Sequence, residues 1–383
     1  MVKTRPHSTS PENHLDDERH PLFYPVEARS IPAALVPPSG TGLGVRVWAR
    51  SLSGMQKEAL IATDADPTAW RVASDEGPYL NGFDAAPCPL SFMTVGMVAT
   101  ALEAIGTRLR SDGRATPDLE LTIDNRYTME GSALRGTMRG GALPVEVAIR
   151  SAGAEDHAGL GRLVRDALRL TPLEGLVGGT HPSRFSLTVN GSSPHPGAMP
   201  APVSGLAAAE PLISRTTAVT PTQGVAGGAG TSLRADQRRQ LHVRGRGHLR
   251  SDGLCEITQE LHQPLGSTFR FLAEGLRPEG APPRAPDGAS YMAAGVAFCF
   301  MTQLGRYATI VKEPLDGYEV VQDTRFDWAA DAPAAGTVTP VETHVFLDTP
   351  AAPDFAQRCL TMGEQTCFLH ALYRTSPTIE LTV

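Results

Sequence analysis

Cysteine is the residue type in this chain whose placement most suggests chemistry. There are five, Cys88, Cys255, Cys299, Cys359 and Cys367. An odd number in a large chain argues against a secreted disulfide framework and for reduced thiols. None forms a Cys-x-x-Cys pair or a cysteine–histidine cluster with zinc spacing, so no metal and no other cofactor is expected. Cys299 lies in the apolar run Ala293-Ala294-Gly295-Val296-Ala297-Phe298-Cys299-Phe300, and Cys367 opens a short helical stretch. A helix start stabilises a thiolate through its dipole and free N–H groups. Two thiols together make a redox device, because a cysteine oxidised to sulfenic acid condenses with a neighbouring thiol. Cys88 precedes a proline in a loop, Cys255 falls in a strand and Cys359 in a helix, with nothing to pair them. These three read as structural.

The elements that must position the pair occur twice. Ser91-Phe92-Met93 recurs as Ser290-Tyr291-Met292, Gly96 as Gly295, and Asp124-Asn125-Arg126-Tyr127 as Asp323-Thr324-Arg325-Phe326, all at an offset of 199. Thr171–Leu176 matches Cys367–Leu372 at an offset of 196, and each copy closes on Leu-Thr-Val. The stretch from Val45 to Arg50 resembles Val243 to Arg250 more weakly. Cys299 then corresponds to Thr100 and Cys367 to Thr171. Both thiols are present in one copy and both are missing from the other, as a device that needs two would require.

Periodicity gives each copy the order β-β-α-β-β-α-β, an α+β class. The long helices, about Leu90–Leu109 and Ser290–Val311, are apolar all round and therefore belong in the core. The expected organisation is a flexible N-terminal arm (1–35), a first domain (36–191), a Pro/Gly/Ala-rich linker (192–233) and a second domain (234–383). Asp124/Arg126 and Asp323/Arg325 alternate on strands and so share a face, as solvated or interface ion pairs would. The net charge of −7 disfavours nucleic acid as a partner. No apolar run is expected to span a membrane and the first residues lack a signal-peptide core, so a cytoplasmic protein is expected. Neither Gly-rich segment carries the Lys-Ser/Thr of a phosphate loop.

Ala-Ala-Gly-x-x-x-Cys-Phe in a buried helix, followed about 70 residues later by a cysteine at a helix start, resembles the OsmC/Ohr family of thiol-dependent hydroperoxide reductases. The likeness covers both copies and is more specific in the second. It implies two tandem OsmC-like domains, β-β-α-β-β-α-β each, forming a single-chain pseudo-dimer with its long helices packed on β-sheets. It also implies a peroxidatic Cys299 and a resolving Cys367, with one site kept and one lost. The substrate it implies is a small organic hydroperoxide, and the reductant an external dithiol, in relatives often a lipoylated protein. Family members hold the thiolate with an arginine from the first strand region, for which Arg50 and Arg250 are the candidates. A guanidinium has the permanent charge that task needs.

Apolar residues near the thiols, Tyr291, Met292, Phe298, Phe300 and Phe368, could line a substrate pocket or fill the core. His370 follows Cys367 by three residues and could serve as an acid or base. One departure from the family is Ala289, where relatives carry a glutamate ten residues before the first cysteine. That substitution keeps open a thiol enzyme of the same fold acting on a non-peroxide substrate in a specialised pathway. A non-catalytic pseudo-dimer that binds a small apolar ligand is the third reading, and further pairing of chains is compatible with all three.

Overall fold

A computed structural model describes residues 13–15, 22–26, 35–113, 119–151, 156–195, 237–275, 281–327 and 335–383. The first half of the chain runs β1 (Phe23–Val26), β2 (Leu43–Ser51), β3 (Lys57–Thr63), β4 (Ala69–Ser74), α1 (Pro89–Ser111), β5 (Leu119–Gly131), β6 (Arg139–Ala142) and β7 (Val145–Ser151). It continues with α2 (His157–Arg169), α3 (Pro172–Val177), β8 (Arg184–Val189) and β9 (Ser192–His195). The second half runs β10 (Gln237–Leu249), β11 (Cys255–Gln263), β12 (Leu265–Ala273), α4 (Gly288–Val311), β13 (Gly317–Asp327), β14 (Thr337–Val338) and β15 (Glu342–Asp348). It ends with α5 (Pro353–Thr366), α6 (Phe368–Thr375) and β16 (Ile379–Thr382).

The halves exchange strands. One sheet has the order β1-β4-β3-β2-β13-β15-β8-β9, and the other β12-β11-β10-β5-β7-β16. Each sheet thus joins the opening strands of one half to the middle strands of the other, along antiparallel ladders between β2 and β13 and between β10 and β5. Both seams carry the same device, since Arg46 bonds Asp323 through two nitrogens and Arg244 bonds Asp124 likewise. The acidic partners are the repeated aspartates of the sequence, and each ion pair joins the two halves. Each copy opens with three strands in one meander, one more than the alternation predicts.

Two long helices lie in the core. α1 and α4 pack at the repeated glycines: a Cβ on Gly96 would overlap the Gly288 carbonyl, and one on Gly295 would lie 2.9 Å from Met93 N. Only a residue without a side chain allows backbones that close. α1 is long and apolar enough to cross a membrane by length and composition, which the sequence reading did not expect, but 83% of its most apolar window is buried inside the protein. On β2 and β3, Val47, Ala49, Ala59 and Ile61 face the central core, whereas Trp48 and Leu60 face a second cluster with Val26 and Leu35. Burial on both faces explains why these strands lack a clean polar side.

The N-terminal arm is partly docked. Phe23 is fully buried, and β1 pairs with β4 as an edge strand. Ser192–His195, expected to open the linker, instead forms β9 against β8. The rest of the expected linker, residues 196–233, lies outside the described residues, as do residues 234–236 of the expected second domain.

Candidate functional site

Cys299 projects from the middle of α4, and Cys367 is the corner residue between α5 and α6, capping both. Both are buried free thiols. They are neighbours, near enough for each to act on the other's ionisation. The Cys367 Sγ also accepts the His370 backbone N–H at 3.5 Å, and the His370 imidazole stands close enough to act on it. Thr171, the counterpart of Cys367, caps α3 in the same manner by accepting from Glu174 N–H. The two aligned positions therefore share a local geometry, with a thiol at one and a hydroxyl at the other.

Burial pushes Cys299 up, and the facing Cys367 adds to that. Burial also opposes the Cys367 thiolate, but the Cys299 thiol, the His370 imidazole and the His370 N–H outweigh it and hold Cys367 well below the ordinary thiol range. The other three cysteines behave as small core residues: burial pushes Cys88, Cys255 and Cys359 each up to about 12.

The cation near the pair is a lysine from the other half. Lys57 lies on the inward face of β3 in phase with Ala59 and Ile61, fully buried, and its charge acts on Cys299. Its ammonium donates to the Met55 carbonyl. Glu76, just beyond β4, accepts from Tyr79 OH at 2.6 Å and from Thr302 Oγ1 at 3.0 Å. Thr302 is one helical turn beyond Cys299. Burial lowers Lys57 and raises Glu76, while their mutual attraction opposes both shifts.

Neither expected arginine serves the thiols. Arg50 is in phase with Trp48 on the opposite face of the sheet, bound to Glu58. Arg250 is exposed at the end of β10 and pairs with Asp252 and Glu256. Among the aromatic candidates, Phe300 packs edge-on to His370 at 5.5 Å, and Phe368 lies 5.9 Å from Tyr127, whose hydroxyl is close enough to feel both thiols. Tyr291 bonds the Leu272 carbonyl among Phe23, Phe92 and Phe271, Phe298 packs on Phe92, and Met292 lies against Gly96. These three fill the core. Lys57, Glu76, Tyr79 and Thr302 were missed from sequence, although the in-phase alternation of Lys57 with Ala59 and Ile61 signals an inward lysine.

The Thr100 side of the molecule is built differently. A cavity of about 340 Å³ is lined there by Thr100, Glu103, Glu274, Asp287 and Ala289. Ala289 thus lines this cavity rather than the surroundings of the two thiols. Glu103, the repeat counterpart of Thr302, lies over Gly275, where any Cβ would overlap its carboxylate. Burial and the nearby Asp287 push Glu103 up to about 8.

Residues 280–382 match the profile of the family described as OsmC-like protein. The C-terminal part of the chain carries an OsmC-like fold. A solved structure of an OsmC-like hydroperoxide resistance protein from Jannaschia sp. CCS1 is also similar, with 22% identity over 33% of this chain and 81% of that chain and a TM-score of 0.20. No curated protein matches the chain. The OsmC-like segment contains Cys299, Cys367 and His370, while Lys57, Glu76 and Tyr79 reach the same site from outside it.

Proposed function

We propose that the protein is a thiol-dependent enzyme reducing organic hydroperoxides with the Cys299–Cys367 pair, built as a single-chain pseudo-dimer of two tandem OsmC-like domains. The observation that carries this reading is the proximity of two buried free thiols, near enough to act on each other's ionisation, one of them capping a helix. A thiolate attacks the peroxide oxygen, the O–O bond breaks, and the alcohol leaves. The resulting sulfenic acid condenses with the second thiol, releasing water and closing a disulfide. An external dithiol then supplies two electrons by exchange. The buried Lys57 ammonium stabilises negative charge developing in the site from the Cys299 side. The strand exchange supports the pseudo-dimer, because each sheet is completed only by the other half.

Free-thiol counting after one equivalent of cumene hydroperoxide tests the proposal. Two thiols should be lost per chain, recovered by a dithiol, and Cys299→Ser or Cys367→Ser should each prevent disulfide formation. An unchanged thiol count in the unmodified protein would exclude a peroxidase. The alternative of a non-peroxide electrophile draws on the carboxylate arrangement around the thiols, with Glu76 entering from another element. It predicts thiol consumption by that electrophile alone.

A further inference from the structure

We propose that the cleft between β8 and α5–α6 recognises the substrate's organic group, and that it selects a neutral group with hydrogen-bonding functions, such as an amide, over a plain hydrocarbon. This rests on the two-thiol reading above, names its substrate class, and holds whichever sulfur reacts first.

The cleft measures about 890 Å³ and has walls of two kinds. Phe185 and Leu187 of β8 and Leu360 of α5 are apolar, whereas His181, Ser183 and Arg374 are polar. Arg374 is bound to Glu364, which also lines the cleft, so the charges there are balanced and an ionic group gains nothing. One ring connects the cleft to the thiols. The Phe185 centroid lies 5.5 Å from that of His370, whose backbone N–H is 3.5 Å from Cys367 Sγ. The same ring lies 5.3 Å from Phe300, the residue after Cys299 on α4. Phe185 and His370 are thus the layer between the cleft and Cys367.

Polar atoms around this layer outnumber the bonds the protein makes to them. The Ser183 hydroxyl is buried and has no partner among the described residues. Thr343 is the register partner of Phe185 in the parallel ladder of β15 and β8, on the inward face with Val345 and Leu347. It is fully buried and its hydroxyl is also unpaired among the described residues. His370 is completely buried, and neither ring nitrogen has a well-formed hydrogen bond there. One turn along α6, the ring of Tyr373 meets that of His181 edge-on at 6.1 Å, and its buried hydroxyl is unpaired too.

Native proteins pair nearly all such groups, and each exception calls for a reason. Hydroxyls and a neutral imidazole both donate and accept, so together they match a ligand that does the same. A hydrocarbon group covers them and leaves them unpaired, whereas an amide bonds to them; the difference is selectivity.

Isothermal titration of the reduced full chain with two unreactive alcohols, 2-phenylpropan-2-ol and its para-carboxamide, tests recognition apart from chemistry. They are the alcohols that cumene hydroperoxide and its para-carboxamide yield on reduction. The carboxamide should bind about tenfold or more tightly. Ser183→Ala and Thr343→Val should each lower that ratio by about threefold or more. A general loss of packing weakens both alcohols alike and does not move the ratio. Equal affinities, no measurable binding of either alcohol, or a ratio that neither substitution changes would overturn the proposal. Thiol counting with the two hydroperoxides is read separately. If neither consumes thiols, the peroxidase reading fails, while the alcohol titrations still decide the role of the cleft.

Discussion

Replacing Glu103 by glutamine should make the protein's stability less sensitive to alkali. The Glu103 carboxyl is pushed from 4.5 up to about 8 by burial and by Asp287, against the attraction of Arg110. A carboxyl with a raised native pKa keeps its proton in the folded state and loses it on unfolding. Its stabilising contribution is complete below the unfolded value near 4.5 and is lost as pH rises towards 8. At about 1.4 kcal/mol per unit the ceiling is about 5 kcal/mol, and access to the 340 Å³ cavity reduces it to about 2–3. Glutamine retains the shape and cannot ionise. Urea denaturation at pH 5 and at pH 8.5 should show near-equal stability at the acid end and a glutamine variant more stable by about 2–3 kcal/mol at the alkaline end. A difference between the two proteins that stays constant with pH would refute the argument, because a purely packing effect does not titrate.

Gly295→Ala should destabilise by about 1–3 kcal/mol, because its Cβ would lie 2.9 Å from Met93 N and 3.0 Å from the Pro89 carbonyl; an unchanged melting temperature would contradict the close helix crossing. Lys57→Met should cost about 3–5 kcal/mol by leaving Glu76 without its counter-charge, and adding Glu76→Gln should recover much of that. Simple additivity in that double-mutant cycle would show that the two groups do not interact. Phe23→Ala should cost about 3–5 kcal/mol in chemical denaturation, since its ring is buried against Trp70 and Tyr291. A loss near zero would return the segment to a loose arm.

The two cysteines of the candidate site stand out in the sequence because the aligned stretch provides a control: Thr100 and Thr171 show what the matching positions hold without thiols. The repeat also marked Asp124 and Asp323, which the structure places on the seams between halves. What stayed hidden depended on the strand exchange. Thr302 and Glu76 are separated by 226 positions along the chain and bond directly, a proximity that no local pattern encodes. Arg50 is a candidate by its place in the first strand region, as the family resemblance implies, while the alternation that pairs it with Trp48 directs it outward. Lys57 sits between Gln56 and Glu58 in the sequence, yet the same alternation directs it inward with Ala59 and Ile61.

The ladders between β2 and β13 and between β10 and β5 also constrain how a growing polypeptide can become this molecule. While the ribosome is still making the first half, β2 and β5 each have one flank of unsatisfied amides and carbonyls, and no later strand yet exists to meet them. Such bare edges invite pairing with neighbouring nascent chains. Slow translation across the middle of the message would therefore lengthen the dangerous interval, and holdase chaperones should bind there.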